Sequence, residues 1–281
     1  MRIETGLFKR KGQKFCELPK ENTNKSRKSR RRQRKSMSSV VQNLFETCKE
    51  VFAEGGAGFV PSPGHIERLR LVLDGMKLAD VGLTQDMPYV RRIETEGAPP
   101  ITYLRIHECD KFSIGIFCLP PSGIIPLHNH PGMTVFSKLL LGSMHIKSYD
   151  WVADVPHNTN TNLNPSHFHP PGIQLAKVKI DSVFSAPCNT SILYPAAGGN
   201  MHCFRALTSC VVIDVLGPPY SDPEGRHCTY YRDFPYASFS GGGGLVTEEE
   251  REGYAWLEER EEPQSLDVVV AMYRGPKIAE R

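Results

Sequence analysis

Apolar positions along this chain change their spacing as the sequence proceeds. Val41, Leu44, Phe45, Cys48 and Phe52 follow the three-and-four step of one helix face, and Gly55-Gly56 stops the pattern. After Pro63, Ile66, Leu69, Leu73 and Met76 repeat it. Both segments read as amphipathic helices covering a core, without chemistry of their own. From about Thr102 to Asp233 the period shortens. The runs ITYLRIHE, FSIGIFCL, MTVFSKLLLG, SMHIKSYDWV, QLAKVKIDSVF, TSILYP, MHCFRAL, SCVVIDVLG and CTYYRDF are β-rich, and Gly, Pro, Asn or charged breaks separate them. Closely spaced strands with no long helix between them predict a sandwich or barrel. Pro156 to Gly172, rich in Asn, Pro and His, reads as a long loop. After Gly241–Gly244, Thr247 with Glu250 forms a capping-box pattern that predicts a short acidic helix through Trp256 and Glu259. Leu266–Met272 reads as a last strand.

Length and charge refine this picture. With 281 residues, 40% of them hydrophobic, the chain can bury a sizeable core. The expected organisation is one barrel domain over 39–281, its core at about 102–235, with a helix and strand over 245–275. Residues 1–38 read as a disordered basic tail. Residues 1–35 carry 14 Lys or Arg against 3 acids, whereas the remainder carries 20 basic and 28 acidic side chains. The run Lys25 to Lys35 suits a nuclear import signal more than a solvated arm without a partner, giving an expected location in nucleus and cytoplasm. No aromatic residues interleave there for base stacking, so sequence-specific nucleic-acid binding is not expected. No apolar run reaches the ~18 residues of a membrane span, and the basic N-terminus lacks an apolar signal core, so a soluble protein is expected. The eight cysteines contain no CxxC pair, which argues for reduced thiols and against a zinc ribbon.

The most informative segment is Gly123-Ile-Ile-Pro-Leu-His128-Asn-His130-Pro-Gly-Met-Thr. Side chains two apart on a strand share a face, so His128 and His130 can converge on one ion. A third nitrogen would complete a facial triad with positions left open for chemistry. His202 is the candidate, because Pro195-Ala-Ala-Gly-Gly-Asn-Met turns into a new strand just before it. His167 and His169 form a second HxH pair, but in the Asn/Pro-rich loop. His145 sits mid-strand, and His107, His157 and His227 have no comparable setting. Taken alone, HxH also fits two exposed strand histidines. The turn motif and the strand-rich context favour metal.

These segments resemble the two cupin motifs, G…HxH…G at Gly123–Gly142 and P…G…H at Pro195–His202. The usual acidic fourth ligand is missing, since Thr134 or Val135 stands where it would be. Three neutral imidazoles remain, as in thiol dioxygenases. The strings PLHNHPGMTVFSKLLLGSMHIKSYDWV, GGNMHCF and DVLGPPYSDPEGRHCTYY are similar to the plant cysteine oxidases, relatives of animal cysteamine dioxygenase. That resemblance spans roughly Val40 to the C-terminus and leaves out the basic tail.

The resemblance implies a mainly β, cupin-like jelly-roll barrel holding Fe(II). It further implies a monomer that uses O2 to oxidise the N-terminal cysteine of proteins, such as group-VII ethylene response factors, to sulfinic acid for the N-degron route. Asp214 is apolar-flanked on a strand, where a carboxylate is costly without a partner. By the resemblance it lies near the iron, holding the substrate amine or a ligand N–H. Tyr220, after the rigid Pro218-Pro219, is expected to donate to bound oxygen or substrate. Cys228 and Tyr230 can share a strand face and are read as core neighbours rather than a crosslink. Two alternatives stay open: a dioxygenase of a small thiol such as cysteamine, and a nuclear cupin binding module whose metal is structural.

Overall fold

The computed structural model describes residues 39–90, 100–152, 172–239 and 248–280. The basic tail, most of the Asn/Pro-rich loop with His157, His167 and His169, and the tetraglycine with Thr247 lie outside them.

Two helices open the described chain, α1 (Val40–Val51) and α2 (Pro63–Asp74). The Ser39 side chain accepts the Gln42 N–H at 3.1 Å, and Ser62 caps α2 through the His65 N–H with Pro63 in the first turn. Each cap satisfies a donor that the helix start leaves unpaired. A short 3-10 turn, Leu78–Val81, follows.

The strands are β1 (Ile101–Glu108), β2 (Ser113–Leu119), β3 (Ile124–His128), β4 (Thr134–Leu141), β5 (Ser143–Trp151) and β6 (Ile173–Ser185). Then come β7 (Ser191–Leu193), β8 (Met201–Ala206), β9 (Cys210–Gly217), β10 (Tyr230–Pro235), β11 (Tyr254–Arg260) and β12 (Val268–Ala271). One sheet runs β12-β1-β2-β9-β4-β7; the other closes on itself as β10-β11-β6-β5-β8-β3. This is the mainly β architecture with a closed barrel that the strand spacing predicts.

Alternation on β9 shows how the layers are divided. Val211, Ile213 and Val215 join Phe45, Phe52, Leu69, Leu73 and Phe136 under the helices. Cys210 and Val212 turn the other way, into the barrel cluster with Leu139, Met144 and Phe204. Asp214 follows them inward, since side chains two apart share a face. A strand covered on both faces reads as one apolar run, as CVVIDVLG does.

The helix layer is also pinned by charge. Asp74 Oδ1 accepts the N–H and hydroxyl of Thr190, both at 2.7 Å, and faces the buried Lys138 ammonium at 3.5 Å. Lys138 also donates to Cys188 O, and Arg70 Nη1 lies 2.7 Å from Asp74 Oδ2. Burial alone would raise the Asp74 pKa; the two Thr190 donors, Lys138 and Arg70 outweigh it and lower it.

The C-terminal region corrects one expectation. The acidic helix through Trp256 and Glu259 is absent; a 3-10 turn, Glu248–Gly253, leads into β11. Trp256 pairs with Leu175 on one side and Phe234 on the other, and its Nε1–H donates to Tyr236 O at 3.0 Å. Two ladders and a buried Trp override the helical preference of a Glu-rich stretch. The last strand lies within the expected Leu266–Met272.

Candidate metal centre

His128 ends β3 and is flanked on both sides, opposite His202 of β8 and opposite Tyr230 of β10. Opposed residues of a ladder point the same way, which brings two rings together from strands far apart in sequence. His130 lies two residues beyond the end of β3, so strand alternation does not hold it in place as the i, i+2 argument supposed. Even so, the three rings meet. Their centroids are 4.8–4.9 Å apart, one ligand atom from each lies within 4.8 Å of the others, and all three side chains are buried.

Hydrogen bonds fix which nitrogens face inward. The His128 Nδ1–H donates to Pro126 O at 2.7 Å, leaving Nε2 as a lone pair. The Tyr220 hydroxyl donates to Asn129 O at 2.7 Å. Its single proton thus used, it accepts the Nδ1–H of His130 at 2.9 Å, which leaves the lone pair of His130 on Nε2 as well. His130 Nε2 and His202 Nε2 stand 3.1 Å apart. Two nitrogens each about 2.1 Å from one ion would be about 3.0 Å apart or somewhat more, so the spacing fits two ligands of a single cation.

Electrostatics agree. Burial pushes the His128 pKa down to about 4, although hydrogen bonds to Pro126 and the His202 backbone pull the other way. Burial, with mutual repulsion among the rings, lowers His130 and His202 well below the ordinary value. All three are neutral at pH 7, the state a ligand needs.

A family model described as PCO_ADO matches residues 72–278. The chain belongs to the PCO_ADO family. It is 58% identical over 264 residues to plant cysteine oxidase 2 of Arabidopsis thaliana, covering 94% of this chain and 92% of that protein. Plant cysteine oxidase 1 of the same organism is 59% identical over 247 residues, or 85% of this chain and 80% of that one. Mouse 2-aminoethanethiol dioxygenase is more distant, 27% identical, over 87% of this chain and 98% of that one.

In this PCO_ADO chain the place of an acidic fourth ligand is taken by structure. The Thr134 hydroxyl donates to Phe59 O at 2.8 Å, and Val135 packs with Met133, Leu193, Leu216 and Tyr220. Among the described residues, no carboxylate joins the three-histidine group. Asp214 sits opposite Ser137 and Gly115 and is buried. Burial raises its pKa to about 7 against a hydrogen bond with Ser137, and among the described residues Oδ1 has no hydrogen-bond partner. Cys228 is in hydrogen-bonding contact with the Tyr220 and Tyr230 hydroxyls; burial pushes its thiol up to about 12, and it is a free cysteine.

Other described histidines lie outside the trio. His145 pairs with Asp181 at 2.7 Å on the surface, His107 packs edge-on to Phe45, and His227 is exposed. The residues that sequence reasoning missed are Asn200 and Asp150. Asn200 bonds the backbone of His130, and Asp150 bonds the turn that carries Asn200. The only trace of them was the Gly-Gly-Asn before His202, read there simply as a turn.

Proposed function

We propose that this chain is an O2-dependent thiol dioxygenase that uses Fe(II), held by His128, His130 and His202, to convert the N-terminal cysteine of target proteins to cysteine sulfinic acid. The observation that carries the reading is a buried trio of neutral imidazoles without an acid, in a chain so similar to plant cysteine oxidases. Both atoms of O2 enter one thiol, RSH + O2 giving RSO2H, so no external reductant is required. Held by these three histidines, Fe(II) would supply a Lewis-acidic, redox-active centre with positions open to a thiol and O2. Three neutral ligands leave its charge undiminished, which favours a thiolate over a thiol. Sulfinic acid is an irreversible rung of cysteine oxidation, suited to committing a protein to degradation.

The chain's own groups orient the reactants. Asp214 offers inside the barrel an Oδ1 that no described residue bonds, and a substrate α-ammonium is a donor of matching charge. Tyr220 acts through His130, as a positioning residue: its one proton is committed to Asn129 O, which leaves none for oxygen or substrate. The basic run Lys25–Lys35 supports nuclear import beside cytoplasmic residence.

The test is anaerobic loading with Fe(II), then exposure to air with a Cys-initiated peptide or cysteamine at equal concentration. Mass spectrometry is expected to find two added oxygen atoms on the peptide. Clear preference for cysteamine overturns the substrate assignment. Bound metal with no oxygen uptake on either thiol would leave a binding module instead.

A further inference from the structure

We infer that Asn200 and Asp150 are positioning residues of the metal centre, fixing His130 and His202 relative to one another through the backbone. This deepens the metal-centre reading above and rests on it.

His130 stands past the end of β3, without ladder bonds to hold its peptide. The Asn200 carboxamide replaces them. Its Oδ1 accepts the His130 N–H at 3.1 Å, while Nδ2 donates to the His130 carbonyl at 2.9 Å. The second Nδ2 hydrogen goes to Tyr194 O at 2.8 Å. A carboxamide has donor and acceptor side by side; aspartate would set an acceptor against two carbonyls, and alanine offers neither. Asn200 is only 9% exposed, so water does not readily restore a lost bond.

Asn200 is itself held from below. Asp150 Oδ1 accepts the N–H groups of Gly199 at 2.8 Å and Asn200 at 3.1 Å, and Oδ2 accepts that of Gly198 at 3.0 Å. Gly198 and Gly199 have φ of +82° and +86°, a left-handed pair that turns successive N–H groups toward one anion. A Cβ on Gly199 would lie 2.4 Å from Ser148 Oγ, and Ser148 is the residue paired with His202. β8 begins at Met201, so this turn leads straight into the strand that carries His202. One continuous path therefore runs from Asp150 through residues 198–200, then to His130 on one side and His202 on the other. Ligand rings must be held to a fraction of an ångström, which is what such a path provides.

A merely structural turn would affect stability alone; a positioning device also sets metal affinity. The test uses the full-length apoprotein titrated with Co(II), read by its visible absorption, beside chemical denaturation of the same samples. Asn200→Ala is expected to bind Co(II) about 10–100-fold more weakly. At saturating Fe(II), its KM for a Cys-initiated peptide is expected to stay within about twofold while kcat falls. Asp150→Asn is expected to move affinity in the same direction by less. Phe45→Leu, a core change under the helices, lowers stability and leaves Co(II) affinity at the wild-type value. Should N200A not fold, Asp150→Asn is read in its place, with its smaller weakening as the expected result. Variants that bind Co(II) like wild type, however unstable, overturn this inference alone. Wild-type protein that takes up no Co(II) overturns the metal-centre reading and this inference with it.

Discussion

The helix-covered face of the six-stranded sheet and the metal pole of the closed ring are built by different physics. Under the helices, Phe45, Phe52, Phe112, Ile114 and Phe136 exclude water completely or nearly so, and cohesion comes from apolar area. Around His128, His130 and His202, the same degree of burial surrounds polar groups, and order comes from hydrogen bonds to Pro126, Tyr220 and Asn200. The first region tolerates changes that keep volume, because dispersion and burial are non-directional. The second is directional: a lost donor is not replaced by a neighbour. Stability and metal binding should therefore be separable by mutation.

The sharpest attempt to break that comparison is His202→Gln. Removing one ligand of three should abolish metal uptake, seen by elemental analysis, and turnover with it. Its apoprotein stability should change by less than ~1.5 kcal/mol. If H202Q unfolds as readily as a core variant, the separation fails. The converse is Phe52→Ala, which empties the space between Phe112, Phe136 and Gly217. It should cost about 3–5 kcal/mol in urea denaturation while Co(II) affinity is kept.

Asp74→Asn probes the charged part of the helix layer. It leaves the buried Lys138 without its carboxylate and should cost about 2 kcal/mol at pH 7. The sign with pH follows from the lowered Asp74 pKa. A depressed carboxyl adds stability above its unfolded value of about 3.9, and that stability is lost as pH falls through the folded value. The gap between wild type and D74N should thus be full at pH 7 and narrow below about pH 4. A gap constant with pH would assign the effect to shape instead of charge.

Tyr220→Phe should be the gentlest, weakening Co(II) binding about tenfold, or about 1.4 kcal/mol, because His130 Nδ1 loses its acceptor. Apoprotein stability should hardly follow. An unchanged affinity would mean that packing alone orients the ring.

Much of this was legible because alternation and helical spacing are local. The runs read as strands are strands, and Val41, Leu44 and Phe45 do face the core. Where distant pairing decides, the reading went astray. Glu250, Glu252, Glu258 and Glu259 look helical, yet Trp256 is claimed by strands on both sides. The ligand histidines were legible as residue types at a spacing. The reason that His130 converges was not, since it depends on a side chain 70 residues away. Asp150 carries no local sign of its role, because its three partners arrive about 50 residues later.

The ring closes between β10 and β3 through the ladder pair Tyr230–His128, supplemented by the bonds joining Asn129 and Thr229. By contrast, β5 and β6 are paired along nine residues of β5. A wall parts most readily where it has the fewest stitches, and here that seam adjoins a ligand. The same histidine is paired on its other side with His202 of β8, so one residue belongs both to the ring's shortest ladder and to the metal centre.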